Sequence, residues 1–306
     1  MRAAVIDIGT NTFNLLVGHY DQGMHIDLSE RIAVKLGEGG ITKGYINYDA
    51  FTRGVEAMKQ HVDKAHMYGA DRIVAVATSA TRSSVNGEDF VRVVERETGV
   101  RPQVISGDEE ATLIYKGVSL ALPTERTFLA MDIGGGSTEF ILGQGDTVHW
   151  QCSTKLGVSR LKDLFNPSDP ITHTEIEQVN AHFDEALKDL KDALQAFPTD
   201  LLAGSSGSFE TISAMLCGPD NATELLGRDK KHTFSMQAFL EVHDFLIHST
   251  LAQRLNHPGI QPFRADMIVI GSLLTKRVAE LCGASQLVTS AYALREGLLH
   301  QLLTER

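Results

Sequence analysis

The sequence predicts an α/β protein of two similar halves facing each other across a cleft, and three observations predict it. Residues 128–142 run from an apolar stretch through Asp132, three consecutive glycines, Ser137, Thr138 and Glu139 into a second apolar stretch, the pattern of strand, tight turn and strand. Residues 5–18, VIDIGTNTFNLLVG, carry the same pattern 125 positions earlier, matching Asp7 to Asp132, Ile8 to Ile133, Gly9 to Gly134 and Gly18 to Gly143. A repeat at domain-length spacing signals two duplicated halves rather than a solenoid. Each hairpin is then followed by alternating strand-like and helix-like segments.

In the first half, the hairpin of residues 3–20 precedes a third strand near 25–36, and the glycine-rich stretch 37–44 reads as a mobile loop. Phe51, Val55, Met58 and Val62 recur at helical spacing, which predicts a helix over 49–68 stopped by Gly69. RIVAVA (72–77) reads as a buried strand. Asn86 is placed to cap a helix that buries Phe90, Val91 and Val94 and stops at Gly99. A strand at 103–106 and a helix at 108–122 follow, and Pro123 sets the boundary between halves at 123/124.

The second half repeats the opening with strands near 127–133, 139–144 and 147–153. One long helix is expected over 175–196, with Thr172 or Thr174 as the start of a capping box and Pro198 as its end. LLAG (201–204) reads as a strand leading through a Ser-Gly turn into a helix, whose amino-terminal N–H groups suit an anion. Helices near 235–255 and 264–281, a strand at 286–289 and a helix at 294–304 complete the chain.

The bulk properties agree. At 306 residues, 42% hydrophobic and 22% charged, the chain has the size for two domains and the composition of a soluble globular protein. No apolar run approaches the roughly 20 residues of a membrane span. The amino terminus enters a strand at once without a signal-peptide pattern, so a cytoplasmic protein with no membrane partner is expected. Cys152, Cys217 and Cys282 are too scattered for a disulfide framework or a zinc site. A net charge of −11 disfavours an extended nucleic-acid surface, so any phosphate site must be a local basic island, with Arg82, Lys116, Arg264 and Arg295 as candidates.

A glycine-rich turn lets backbone N–H groups approach an anion and permits positive φ, Ser137 and Thr138 add hydroxyls, and Asp132 at the strand end suits a cation. Such a turn beside a carboxylate fits a phosphate with Mg²⁺, and two of them fit a cleft. Asp7 and Asp132 can ligate the metal directly or through water. Thr10, Asn11 and Thr12, with Gly135, Gly136, Ser137 and Thr138, would then cradle phosphate oxygens from opposite sides. Read by themselves, Asp108, Glu109 and Glu110 are acids in a first helical turn, where the helix dipole favours them.

The duplicated Asp-x-Gly hairpin within this element order resembles the actin-like (ribonuclease H-like) ATPase superfamily. The motifs DIGTNTFNLLV (7–17), VATSATR (76–82), VISGDEEATLIYKGV (104–118), DIGGGSTEF (132–140), KLGVSRL (155–161), GSSGS (204–208), FRADMIVIG (263–271) and ALREGLL (293–299) resemble the Ppx/GppA family of exopolyphosphatases and guanosine pentaphosphate phosphohydrolases, in its short two-domain form. The resemblance implies two actin-like domains, 1–123 and 124–291, with 292–306 folded back on the first. It implies release of terminal phosphate from polyphosphate or guanosine pentaphosphate by a metal-assisted water, and it admits a homodimer. It assigns the catalytic role to Glu110, with Glu109 as the alternate, and phosphate binding to Arg82. Glu139 joins Asp7 and Asp132 at the metal end, and Gly204 to Ser208 lies where relatives in the superfamily hold a nucleotide, with Gly207 and Ser208 as phosphate-binding candidates. Arg264 and Arg295 are expected to pair with Asp266 and Glu296. An actin-like kinase and a non-enzymatic assembly protein are the alternatives.

Overall fold

The computed structural model describes residues 1–123 and 125–305. The expected start of the second half, at 124, and the end of the terminal segment, at 306, fall on the two residues outside this description.

The first half opens with a meander of β1 (Arg2–Ile8), β2 (Thr12–Tyr20) and β3 (Met24–Ala33). It continues through α1 (Tyr48–Met67), β4 (Arg72–Ala77), one helical turn α2 (Ser79–Arg82), α3 (Gly87–Thr98), β5 (Gln103–Val104) and α4 (Gly107–Ala121). The sheet order is β3-β2-β1-β4-β5, with β1, β4 and β5 parallel.

The second half repeats the meander as β6 (Phe128–Ile133), β7 (Thr138–Gln144) and β8 (Thr147–Thr154). Then come α5 (Val158–Phe165), α6 (His173–Ala186), α7 (Lys188–Ala196), β9 (Leu201–Ser205), α8 (Ser206–Cys217) and α9 (Pro219–Asp229). The chain ends with β10 (Lys231–Ser235), α10 (Met236–His248), α11 (Leu251–Leu255), α12 (Ile268–Cys282), β11 (Gln286–Ser290) and α13 (Leu294–Thr304). Its order is β10-β11-β9-β6-β7-β8. The first sheet is thereby reproduced strand for strand, with β10 added as an antiparallel edge. This is the duplicated actin-like architecture with a cleft between its halves.

The duplication extends to the backbone detail. Asp7 pairs with Asn14 and Asp132 with Glu139, and each second strand breaks register at the repeated glycine, between Val17 and Gly18 and between Leu142 and Gly143. Both glycines admit a close neighbour. A Cβ on Gly143 would lie 2.4 Å from the Tyr115 ring of α4, and one on Gly18 would lie 3.0 Å from Leu299 of α13.

The last helix of each half crosses to the other. α4 packs on β7 and β8, and α13 packs on β1 and β2 and against α4. The two helices meet so closely that a Cβ on Gly117 would lie 1.9 Å from the Ala293 carbonyl, and one on Gly297 would lie 2.1 Å from that of Leu113. Val5, Leu16, Ile114, Ile141 and Leu299 share one apolar cluster across both halves, so burial holds the cleft's floor together.

Several segments depart from the expectation. The long helix bends at Leu187, which ends α6 and begins α7, so that Phe183, Leu187, Leu190 and Leu194 all stay in the core. Thr172, not Thr174, forms the capping box with Glu175. The helix expected over 235–255 stops at Ser249, because Thr250 caps α11 anew with Gln253. Asn86 does not cap α3 with its side chain, which is spent on the backbone N–H and carbonyl of Ile46 at 2.8 Å each. The 37–44 stretch is a packed run of turns with Ile41 buried and Gly37 N–H donating to the Thr10 carbonyl at 3.0 Å. Among the described residues no helix is long and apolar enough to cross a membrane.

Candidate active site

Both hairpin turns are closed by the same bond: Gly9 N–H donates to the Thr12 carbonyl at 3.1 Å, and Gly134 N–H to that of Ser137 at 3.0 Å. None of Gly134, Gly135 and Gly136 has positive φ, so that expectation is corrected. The reason for glycine is proximity. A Cβ on Gly135 would lie 2.7 Å from Asn11 Nδ2, and one on Gly136 would lie 2.6 Å from Ser79 Oγ and 2.8 Å from Thr10 Oγ1. The turns therefore face each other directly, in contact, and Asn11 Oδ1 accepts from Ser159 Oγ of the second half at 2.8 Å.

The second turn is anchored through its carbonyls. Gly134 accepts from Val158 N–H at 3.0 Å, Gly135 from Ser159 N–H at 2.9 Å, and Gly136 from Arg160 Nε at 3.0 Å. With the carbonyls drawn towards α5 and Gly134 N–H closing the turn, the amides of Gly135 and Gly136 are the ones no backbone carbonyl takes, and these are the groups available to an anion in the cleft.

The cleft is lined by Asp7, Thr10, Asn11, Thr12, Glu110, Asp132, Gly135, Gly136, Ser137, Gly207 and Ser208 among the expected residues. Thr138, Glu139 and Arg82 do not line it. Thr138 is fully buried with Oγ1 donating to the Leu156 carbonyl at 2.9 Å, because adjacent residues of a strand point to opposite faces. Glu139 lies behind the turn, 1% exposed, accepting from Ser153 Oγ at 2.7 Å. Arg82 donates Nη1 to Glu110 Oε2 at 2.9 Å and to the Ile105 carbonyl at 2.8 Å.

The neighbouring acids of α4 have separate tasks. Ser106 caps the helix, and Glu109 closes the box by accepting from Ser106 N–H at 2.7 Å. That backbone bond holds the Glu109 carboxyl below its ordinary range. Glu110, about 100° further round the helix, is buried and enters the cleft. Burial, and then the charge of Glu139, push its pKa well above the usual carboxylate range, against the pull of Arg82.

The other acids are raised by burial as well. Asp7 is pushed up to about 6, against the opposing charge of Arg295 and a 3.1 Å bond from Asn14 Nδ2. Asp132 is raised despite accepting from Ser205 Oγ at 2.6 Å and Ser206 Oγ at 2.8 Å. Glu139 is pushed up to about 7. Ser206 holds its hydroxyl there from a left-handed backbone conformation, φ 65°, which is strained for a residue with a Cβ.

Among the described residues no three His, Cys, Asp or Glu side chains converge into a protein-only metal cage. That donor set still fits Mg²⁺, which binds through one or two carboxylates and completes its octahedron with substrate phosphate and water. Asp132 spends only Oδ2 on its two serines, and its charge adds to the burial that raises the Asp7 pKa. A cation between them would relieve that repulsion.

Sequence reasoning missed Asn14, Arg31, Ser79 and Glu210, all of which line the site, and did not foresee that Ser205 and Ser206 bond to Asp132. Asn14 was findable, since a tight hairpin sets it opposite Asp7. Arg264 pairs with Glu210 at 2.9 Å and lines the cleft, while Asp266 takes Lys162 instead. Arg295 pairs with Glu296 at 3.3 Å as expected, and also lines the cleft. Lys116 turns away from the cleft to Gln301 of α13 at 2.9 Å.

Comparison with known proteins supplies the family. The profile of the Ppx/GppA phosphatase family matches residues 15–306. Exopolyphosphatase 2 of Mycobacterium tuberculosis is 30% identical over 318 residues, covering 97% of each chain. Exopolyphosphatase 1 of Mycobacterium leprae is 28% identical over 303 residues, covering 98% of this chain and 88% of that protein. The crystal structure of an exopolyphosphatase from Cytophaga hutchinsonii superposes with a TM-score of 0.96 at 34% identity, covering 99% of this chain and 98% of that one. The PPX-GPPA enzyme of Aquifex aeolicus superposes at 0.82 with 26% identity, covering 98% of each chain.

Proposed function

The chain belongs to the Ppx/GppA phosphatase family, and we propose that it hydrolyses the terminal phosphoanhydride bond of inorganic polyphosphate, with Glu110 as the general base. The observation that carries this reading is the placement of Glu110: a buried carboxyl of raised pKa, opening into the same cleft as both phosphate-type turns. A general base works best with a pKa near the operating pH.

In this reading the terminal phosphoryl sits between the two hairpin turns. Gly135, Gly136 and Ser137 offer amides from one side, and Thr10, Asn11 and Thr12 offer groups from the other. Water attacks the terminal phosphorus as the bridging P–O bond breaks. Its proton passes to the Glu110 carboxylate, and orthophosphate and a chain one unit shorter leave as anions. Arg82, hydrogen-bonded to Glu110, orients the base rather than the phosphate. Asp7 and Asp132 would hold Mg²⁺, which when bound neutralises charge on the phosphate oxygens. Glu139, behind them, contributes through the field it exerts on Glu110.

The kinase and assembly readings are not favoured. The relatives that support the hydrolase reading, at 28–34% identity, are exopolyphosphatases by name.

Guanosine pentaphosphate presents the same kind of phosphate terminus and is the second substrate of this reading. Phosphate release should be measured side by side on long polyphosphate, short polyphosphate, guanosine pentaphosphate and ATP. The expected order places long polyphosphate first, with affinity falling as salt rises. A higher kcat/KM on guanosine pentaphosphate than on every polyphosphate length would reverse the order, and turnover of ATP alone would remove the reading.

A further inference from the structure

The register of the first sheet sets Asp7 opposite Asn14, and Asn14 opposite Arg31. One row of side chains therefore runs from the cleft aspartate to the outer strand, and it is hydrogen-bonded throughout. Arg31 Nε donates to Asn14 Oδ1 at 2.9 Å, and Asn14 Nδ2 donates to Asp7 Oδ2 at 3.1 Å. Chemistry fixes the polarity. A guanidinium has only donors, so the amide must turn its oxygen to Arg31, which leaves its NH₂ for the carboxylate.

The remaining nitrogens of Arg31 leave their own half. Nη1 and Nη2 grip both oxygens of Glu210, on α8 of the second half, at 3.0 and 3.1 Å. Glu210 is itself fixed by Arg264, which also donates to the Gly207 carbonyl. Burial pushes the Glu210 carboxyl up, but Arg264 and Arg31 together hold it well below the usual range, so this end of the row is a fixed negative charge.

We propose that Arg31 is a positioning residue: through Asn14 it holds the Asp7 carboxylate in the orientation that receives a divalent cation, and it can do so only while its fork is seated on Glu210 across the cleft. Metal binding by the first half is thereby tied to contact with the second. The geometry demands arginine. A planar fork serves three acceptors on two residues at once, and a lysine ammonium at the same place is a single point without that reach. The inference rests on the reading of Asp7 as a metal-facing carboxylate.

The test is Mn²⁺ binding to the full-length protein in the presence of inorganic phosphate, followed by the loss of the free-ion electron paramagnetic resonance signal, with thermal melting in parallel to establish folding. Partners that orient a metal ligand typically contribute about 10–100-fold to affinity, so Arg31→Lys should weaken Mn²⁺ binding by at least about tenfold. Asn14→Ala should weaken it equally, and the double variant no more than either alone, because one row is broken once. Glu210→Gln, which keeps one acceptor and loses the charge, should fall between wild type and Arg31→Lys. Asp7→Asn tests the underlying reading and should weaken binding further. Unchanged Mn²⁺ affinity in Asp7→Asn would remove that reading and this proposal together. Loss in Asp7→Asn with none in Arg31→Lys, or additive losses for Arg31 and Asn14, would overturn the proposal alone.

Discussion

Two rows of side chains occupy the same place in the duplicated sheets and hold different chemistry. Cross-strand pairing gives Asp7, Asn14 and Arg31 in the first half, and Asp132, Glu139 and Ser153 in the second. The first position is an aspartate in both, at the end of a strand whose turn faces the cleft. The second and third positions have diverged. An amide and a guanidinium carry the first row outward to Glu210, whereas an acid and a hydroxyl close the second row on itself. Strand register and turn shape survive duplication because they are backbone properties, while the polarity of each row is free to change with its side chains. One half consequently reaches across the cleft, and the other stores a buried proton-binding acid.

The last helices diverge in a parallel way. In α4 the capping acid Glu109 is followed by Glu110, which enters the cleft; in α13 Glu296 accepts from Ala293 N–H at 2.8 Å and is followed by Gly297, which admits Leu113. Of these two helices, α4 alone places a glutamate in the cleft, and that glutamate is the proposed base. Glu110→Gln, which keeps shape and removes the base, should lower kcat by about 10²–10⁴-fold while substrate affinity holds or improves, since one negative charge facing a polyanion is gone. Near-normal steady-state turnover in this variant would sink the assignment.

The stored acid of the second row predicts a pH-dependent cost. Glu139 is raised in the folded state from an ordinary value near 4.5 to about 7, so the folded protein binds more protons than the unfolded chain in that window. Stability conferred by the protonated form is present below about 4.5 and is lost as pH rises through about 7, a difference on the order of 3 kcal/mol. Glu139→Gln should abolish most of that decline. Urea midpoints at pH 5 and pH 8 without divalent cation would show it as a flattened profile, and an unchanged pH slope would mean that another acid carries the proton.

The contact between the turns can be broken sterically. Gly136→Ala puts a methyl 2.6 Å from Ser79 Oγ and 2.8 Å from Thr10 Oγ1, forcing the turns apart. A stability loss of about 1–3 kcal/mol is expected from such overpacking, with a fall in activity larger than that of Gly23→Ala, in the turn between β2 and β3, whose added Cβ would meet nothing within 4 Å. Equal activity in the two variants would argue that closure of the turns is not required.

The smallest effect is expected one residue before the base. Glu109→Gln leaves an acceptor for Ser106 N–H, so turnover and pH profile should stay close to wild type. A collapse of kcat here would move the base back by one position.

Much of this was legible in the sequence. The duplicated hairpins, Gly99 as a helix stop and the helix that presents Glu109 and Glu110 all follow from periodicity, turn chemistry and helix capping, which act over a few residues. The repeat also implied that Asp7 and Asp132 face one cleft, because equivalent turns related by a pseudo-two-fold point the same way. The edge strand β10 was not legible, since Lys231–Ser235 carries no strand-like apolar run of its own and is ordered by pairing with β11.

The tertiary structure alone decided the rest. It turned Thr138 away from the ligand by fixing which face of β7 looks inward, and it enclosed Glu139, on the same face as Asp132, against Ser153. It set Ser205 and Ser206 on Asp132, and it seated Arg31 on Glu210, 179 positions away. Contacts of this kind depend on how two separately patterned halves dock. A local pattern fixes which face each element buries, but the partner of a polar side chain at an interface is chosen by the relative placement of both bodies, and no window of sequence contains that placement.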